Sequence, residues 1–393
     1  RAGCGGSAPG KPSMQTSDVT QDRLQRRATF EPGDGARVLS LFLNLDPTAN
    51  LHAPENRRSA VNSLLDEAAR AVEGEEGLDH DAHMALREDV NRARSELDAN
   101  LDDGWAEGAH ALALFVCGPA ELFEVLRLPR PVGSRATIAE RPAIEPLAEV
   151  GPAEHWAVLL LDGNDARLLE GFGDRLEETE SEHSDHGGRT AKGGMSAQRY
   201  ERSVGMEEND FLRNVARMLE DADGRRSYKR IFVGTTERHF SAFTDVLSNP
   251  LRERITARFD AGADWESPQA IRERVEPLLV ADETHRERDA LDAVGANGVR
   301  GIVDVLPALY ERRVRTLLLE PGLEHPGVVC PRCRWALAEE RGTCPVDGET
   351  MVDHPNLVEW AVELAVEQDA DVLPVRRHDD LADHGGIAAA LRF

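Results

Sequence analysis

Lysine is nearly missing from this sequence. Of its 46 basic residues only Lys11, Lys192 and Lys229 are lysines, and the rest are arginine, a bias that points to a GC-rich genome. Positive charge as a whole is scarce: 72 Asp and Glu residues leave a net charge of −26. That balance argues against non-specific nucleic-acid binding through a broad basic face, because phosphate contacts dominate such affinity. A local basic patch on an acidic body stays open, and adaptation to salt is a second reading of the acidity. Long apolar runs are missing too. The longest, around Ala111 to Cys117, is far shorter than the roughly 20 residues that cross a bilayer. No basic-then-apolar leader opens the chain, so the expectation is a cytoplasmic protein without membrane contact. Cysteine is sparse: five residues, three of them clustered late, make no disulfide framework. Cys4 lies in the untidy opening "RAGCGGSAPGKPS", ahead of Met14, a plausible true initiator.

What is present describes a globular, multi-domain α/β chain. Its 393 residues exceed one core, and 40% hydrophobic with 30% charged residues is the composition of a soluble fold. Residues 1–35 are polar and glycine-rich and read as a flexible tail. The first domain spans 36–150: a strand at "ARVLSLFLNLD", a helix from Arg57 to Val72, a charged helix from His83 to Leu101, then strands at "HALALFVCG" and "LFEVLRLP". The second spans 151–280. It opens on two apolar strands flanking Asp162-Gly163-Asn164-Asp165, a hairpin signal. A polar loop, "SEHSDHGGRTAKGGM", leads into a helix from Ser196 to about 222, followed by the strand "KRIFVGTT" and a helix broken by Pro250. The third spans 281–393. It has a charged helix, a helix and strand ending at Leu319, a cysteine insertion over 326–356, and a last helix and strand.

Two constellations carry chemistry. In "CPRCRWALAEERGTCPVDG", Cys330 and Cys333 form one C-x2-C knuckle, and Cys344 opens a second whose fourth position is Asp347. Two such turns present four ligands to one tetrahedral zinc ion, a structural site with no open position. His354 is a rival fourth ligand, and a ribbon that keeps its hairpin without metal is the plainer alternative. The second constellation is the loop before the helix. Lys192 stands beside Gly193 and Gly194, with Arg189 before it and Arg199 and Arg202 three apart on one helix face. Glycines let a backbone approach a partner closely, and a basic helix start suits phosphate. Surface arginines on a biased chain are the alternative. His183, Asp185 and His186 have ligand-like spacing but no third partner, and read as a solvated polar loop.

The segment "GGMSAQRYER" resembles the "GGQSAQRFER" segment of archaeal and eukaryotic peptide-chain release factors. "RTLLLE", the cysteine ribbon, "LVEWAVELA" and the final "GGIAAALRF" follow the order of that family's C-terminal domain, which resembles the kink-turn-binding ribosomal-protein fold. "VLSLFLNLDP" looks like the first strand of the superfamily's bacterial branch. The resemblance covers about residues 36–393. It implies a loop that enters the ribosomal peptidyl-transferase centre and promotes peptidyl-tRNA hydrolysis. Gly193, Gly194 and Met195 would then sit at the ester. Arg189, Lys192, Gln198, Arg199 and Arg202 would lie on rRNA or tRNA, and a translational GTPase would be the delivery partner of a monomer. This chain departs from the pattern where Met195 replaces the family's glutamine, and it lacks the Asn-Ile-Lys-Ser motif of stop-codon readers. Cys117 and Phe123 lack the spacing of the second decoding motif. Three readings follow: a peptidyl-tRNA hydrolase, a factor that occupies the A site without cutting, and an RNA-binding scaffold.

Overall fold

Strands read as apolar runs become inner strands of twisted sheets in this computed structural model, which describes residues 16–33, 35–46, 54–75, 77–100, 109–151, 154–172, 175–184, 197–261, 266–339 and 342–393. The first stretch runs β1 (Thr16–Asp18), α1 (Gln21–Ala28), β2 (Val38–Asn44), α2 (Pro54–Gly74), α3 (His80–Asn100), β3 (Ala111–Cys117), β4 (Leu122–Leu128), β5 (Arg135–Ala139) and α4 (Glu145–Val150). The second runs β6 (His155–Leu161), β7 (Asp165–Phe172), β8 (Arg175–His183), α5 (Ala197–Arg226), β9 (Arg230–Gly234), α6 (Glu237–Val246), α7 (Asn249–Arg252), β10 (Ile255–Phe259) and α8 (Pro268–Ala296). The third runs β11 (Gly298–Arg300), α9 (Ile302–Tyr310), β12 (Val314–Leu319), β13 (Gly327–Val329), β14 (Ala336–Leu337), β15 (Val352–His354), α10 (Leu357–Glu367), β16 (Asp371–Pro374) and β17 (Ile387–Leu391).

The first sheet has the order β1-β4-β3-β2-β5. Side chains alternate faces along a strand. Leu39, Leu41 and Leu43 of β2 therefore join Val61, Leu64 and Leu65 of α2 and Leu86, Val90 and Leu97 of α3 in one apolar cluster. Val38 and Phe42 belong to another, with Leu24 and Ala28 of α1, Leu147 of α4, Val305 and Leu309 of α9, and Ala361 and Ala365 of α10. The sheet of the third stretch, ordered β11-β17-β12-β16, feeds the same cluster through Leu317, Leu319, Ile387 and Ala389. The described residues up to 151 thus form one compact unit with Glu287–Phe393, although each stretch keeps its own sheet.

Residues 154 to Arg286 are the other unit. Its sheet is ordered β10-β9-β6-β7-β8, with β6 parallel to β9 and antiparallel to β7. Ala157, Leu159 and Leu161 pack with Phe211, Val215 and Leu219 of α5 and Phe243 of α6. Trp156, Val158 and Leu160 face Ile271, Val275 and Leu279 of α8. Burying a side chain of this size contributes roughly 1.5–3 kcal/mol. A sheet covered on both faces therefore needs the unbroken apolar run that β6 shows.

Four expectations are corrected. The flexible tail over 1–35 contains ordered structure from β1 onward. Thr20 caps α1 by accepting the Arg23 N–H at 3.3 Å, and Leu24 and Ala28, four residues apart, are buried. Residues 1–15 lie outside the described residues. The polar stretch 175–183 is strand β8, paired antiparallel with β7, so His183 ends a strand instead of sitting in a loop. The helix interruption precedes Pro250: Leu247 and Ser248 are extended, and Pro250 occupies the first turn of α7, where its missing N–H costs nothing. Finally, the charged helix expected near 280 starts at Pro268, where Ser267 Oγ accepts the Ala270 N–H at 3.2 Å.

Candidate functional site

The cysteine cluster is built on a three-stranded sheet, β14-β13-β15. Val328 pairs with Leu337 on one side and Asp353 on the other. β13 starts at Gly327, where a Cβ would lie 2.3 Å from Leu357 Cδ1 and 2.5 Å from the Leu337 carbonyl. Only glycine lets the sheet approach α10 this closely.

Two turns leave this sheet with the same backbone. In the first, the Cys330 N–H donates to the Trp335 carbonyl at 2.7 Å and the Arg334 N–H to the Cys330 carbonyl at 3.0 Å. In the second, the Cys344 N–H donates to the Glu349 carbonyl at 2.8 Å and the Gly348 N–H to the Cys344 carbonyl at 3.0 Å. The fifth residue of each is left-handed, Arg334 at φ 61 and Gly348 at φ 74. Each leading sulfur accepts a backbone N–H at 3.4 Å, from Cys333 on Cys330 and from Val346 on Cys344. Asp347 therefore occupies in the second turn the position that Cys333 holds in the first.

These turns converge. One donor atom from each of Cys330, Cys333, Cys344 and Asp347 lies within 4.8 Å of the others. Cys333 Sγ is 3.4 Å from Cys344 Sγ, and Cys330 Sγ is 3.5 Å from both oxygens of Asp347. Sulfurs on a tetrahedral zinc ion stand about 3.8 Å apart, so only a small expansion is needed. Cys330 and Cys344 are buried. Burial pushes Cys330 up, but the N–H groups of Cys333 and Arg332 outweigh it and hold that thiol below its ordinary value. Cys333, desolvated beside two sulfurs and a carboxylate, is pushed up to about 12. The Glu349 N–H keeps the Asp347 carboxyl low. Three thiols and a carboxylate crowded this closely fit a divalent cation, which would let all of them ionise. His354 does not join them. Its Nδ1 accepts the Asn356 N–H at 3.3 Å and its ring packs edge-on to Trp360 at 5.5 Å.

Sequence reasoning missed the residues that seat this module. Trp335 stacks on Tyr310 with centroids 4.4 Å apart. The Trp360 indole donates to the Arg334 carbonyl and to the Tyr310 hydroxyl, both at 3.1 Å. The Arg334 guanidinium lies 4.8 Å from the Trp360 ring centroid. The one available signal was the matched fifth position of the two turns: glycine in one, arginine in the other.

The second constellation is less fully placed. Arg189, Lys192, Gly193, Gly194 and Met195 lie outside the described residues, as do Asp185 and His186. Gln198, Arg199 and Arg202 fall in the first two turns of α5, and their side chains are outside the described ones. On the near side of this gap, His183 Nδ1 is 2.5 Å from Asp165 Oδ1, and the Ser184 N–H donates to the Asn164 carbonyl at 2.8 Å. These bonds tie the end of β8 to the β6–β7 turn.

Residues 142–278, which include "GGMSAQRYER", match the model of bacterial archaeo-eukaryotic release factor family 10. Peptide chain release factor subunit 1 of Thermoplasma acidophilum is 27% identical over 272 residues, 61% of this chain and 64% of that protein. The chain thus spans just under two thirds of that relative. The Methanocaldococcus jannaschii protein of the same name is 25% identical over 289 residues, 64% of this chain and 69% of that one. A model of ribosome-bound archaeal Pelota and ABCE1 aligns over 96% of this chain and 95% of that one, at 14% identity and a TM-score of 0.39, too weak a superposition to argue from. Among the described residues no helix is long and apolar enough to cross a membrane. On the family match and these similarities, the chain is a relative of the archaeo-eukaryotic peptide-chain release factors, with residues 142–278 matching their bacterial family 10.

Proposed function

We propose that this chain is a cytoplasmic ribosome-binding factor that enters the A site and acts on peptidyl-tRNA, in termination or in rescue of stalled ribosomes. The observation that carries it is the family match over residues 142–278, because that stretch contains the Gly-Gly-Met loop. Gly193 and Gly194 let the backbone reach the ester, and the Met195 N–H donates to the developing oxyanion. Arg189, Lys192, Gln198, Arg199 and Arg202 hold rRNA and tRNA phosphate, as a local basic patch on an acidic body. A translational GTPase delivers the monomer, by analogy with the resembling family. Zinc on Cys330, Cys333, Cys344 and Asp347 is structural: when bound it supplies cross-linking of the two turns.

Met195 favours a second reading, a factor that occupies the A site of idle or stalled ribosomes without cutting. A thioether is a poor hydrogen-bond partner for the attacking water. A reconstituted ribosome carrying P-site peptidyl-tRNA separates the two. The first reading expects release by the natural chain, about 10²-fold slower than by Met195→Gln. Release by Met195→Gln alone selects the second. Failure of the natural chain to co-sediment with ribosomes, with Arg199→Glu no weaker, overturns both.

A further inference from the structure

The seat of the cysteine module is also a junction between distant parts of the chain. Arg334 follows Cys333 directly, and its main chain is held at both ends, by the Cys330 carbonyl at its N–H and by Trp360 at its own carbonyl. Its guanidinium donates to Glu367 Oε1 at 2.9 Å and to Glu363 Oε2 at 2.8 Å, both on α10. That same Glu367 Oε1 accepts from Arg141 at 2.5 Å. Arg141 in turn donates to the Ala28 carbonyl, the last residue of α1, at 3.2 Å, and to Glu31 at 2.5 Å. A cation on the final carbonyl of a helix satisfies an orphan acceptor and complements the helix dipole. Burial, reinforced by Glu359 and Glu367 beside it, raises the Glu363 carboxyl to about 8. Glu367 thus bridges two arginines more than 190 residues apart in sequence.

We propose that metal occupancy of the two cysteine turns controls the docking of the N-terminal helix, through the relay Arg334–Glu367–Arg141–Ala28. Metal sets the first turn, and that turn fixes Arg334 in a left-handed conformation, at φ 61, which an L residue keeps only where surrounding contacts hold it. A loosened turn releases Arg334 from Glu367, Glu367 then no longer orients Arg141, and α1 loses its cap. The inference rests on the metal reading above, so its test separates the two.

Hydrogen exchange of the full chain, with bound zinc quantified in parallel, supplies the test. EDTA is expected to speed exchange over residues 21–31 about tenfold, alongside the opening of residues 327–354. Arg334→Met is expected to speed residues 21–31 to the same degree while zinc stays bound, and EDTA then adds nothing there. Arg141→Met should reproduce the effect without touching the cysteine turns. Zinc release that opens 327–354 and leaves 21–31 unmoved overturns the coupling alone. A purified chain that takes up no zinc overturns the metal reading and the control by metal with it.

Discussion

The two cysteine turns share one backbone and differ in what each does. Cys330–Arg334 is docked: its fifth residue carries a guanidinium onto Glu363, Glu367 and the Trp360 ring, and the next residue stacks on Tyr310. Cys344–Gly348 is free at the same point. A Cβ on Gly348 would meet nothing within 4 Å, and Val346 at the tip is 60% exposed. A turn frame held by its own N–H groups thus tolerates a changed ligand, so the second turn can end in Asp347 where the first ends in Cys333. The docked turn is constrained twice, by the ligand set and by the seat. The free turn is constrained by the ligands and its own local hydrogen bonds.

Breaking the shared ligand set has the largest expected effect. Cys330→Ser removes a buried thiolate, and zinc affinity should fall by more than about 10²-fold, with the zinc-dependent rise in Tm lost. Competition with a chromophoric chelator measures it, and unchanged affinity would mean the cluster is not the zinc site. Next comes the ligand that differs between the turns. Asp347→Cys restores full symmetry and should tighten zinc by about tenfold, since a soft thiolate suits this ion better than a carboxylate. Asp347→Asn should weaken it in the same assay.

A pH series adds a contrast between carboxylates. Glu145 is buried beside Arg135 and Glu149, and burial outweighs the arginine, raising its carboxyl to about 8. The folded chain then keeps a proton that the unfolded chain gives up near 4.5. Protons bound in the fold exceed those bound in the unfolded state between these values, so stability falls as pH rises from about 4.5 to 8. Glu145→Gln should flatten that slope in a Tm series. Asp347 has the opposite sign: held low in the fold, it contributes stability above its ordinary value that is lost as pH falls. The smallest effect belongs to the free turn's backbone. Gly348→Ala adds a Cβ to a left-handed residue with open space around it, which should cost about 1 kcal/mol in denaturant unfolding and leave zinc stoichiometry unchanged. A larger loss would mean the free turn has a seat of its own.

Much of the fold was legible because central strands bury both faces. β2, β3, β6, β9 and the end of β12 read as mostly apolar runs, and each lies inside its sheet. Of the strands that escaped notice, β1, β5, β8, β10 and β11 are at sheet edges, while β17, "IAAAL", lies inside its sheet and was hidden because alanine is a poor strand marker. An edge strand is completed by hydrogen bonds to one neighbour, and β8, "RLEETESEH", has no apolar run to announce it. Helix α1 was hidden for a related reason: two buried residues, Leu24 and Ala28, in an arginine-rich segment give little periodicity.

The four candidate ligands were legible because knuckle spacing is local, fixed by a turn of a few residues. The same holds for the family-like loop segment, which is a matter of residue order. Sequence by itself thus determined most inner strands, the long helices, the three cysteines with two rivals for the fourth ligand position, and the departure at Met195. Only the tertiary structure decided that Asp347, and not His354, completes the cluster, and that Arg334 ties it to α10 and Arg141. The first choice depends on how two turns converge, and the link to Arg141 on elements that pack together across more than a hundred residues, where many weak contacts sum and no local pattern records the outcome.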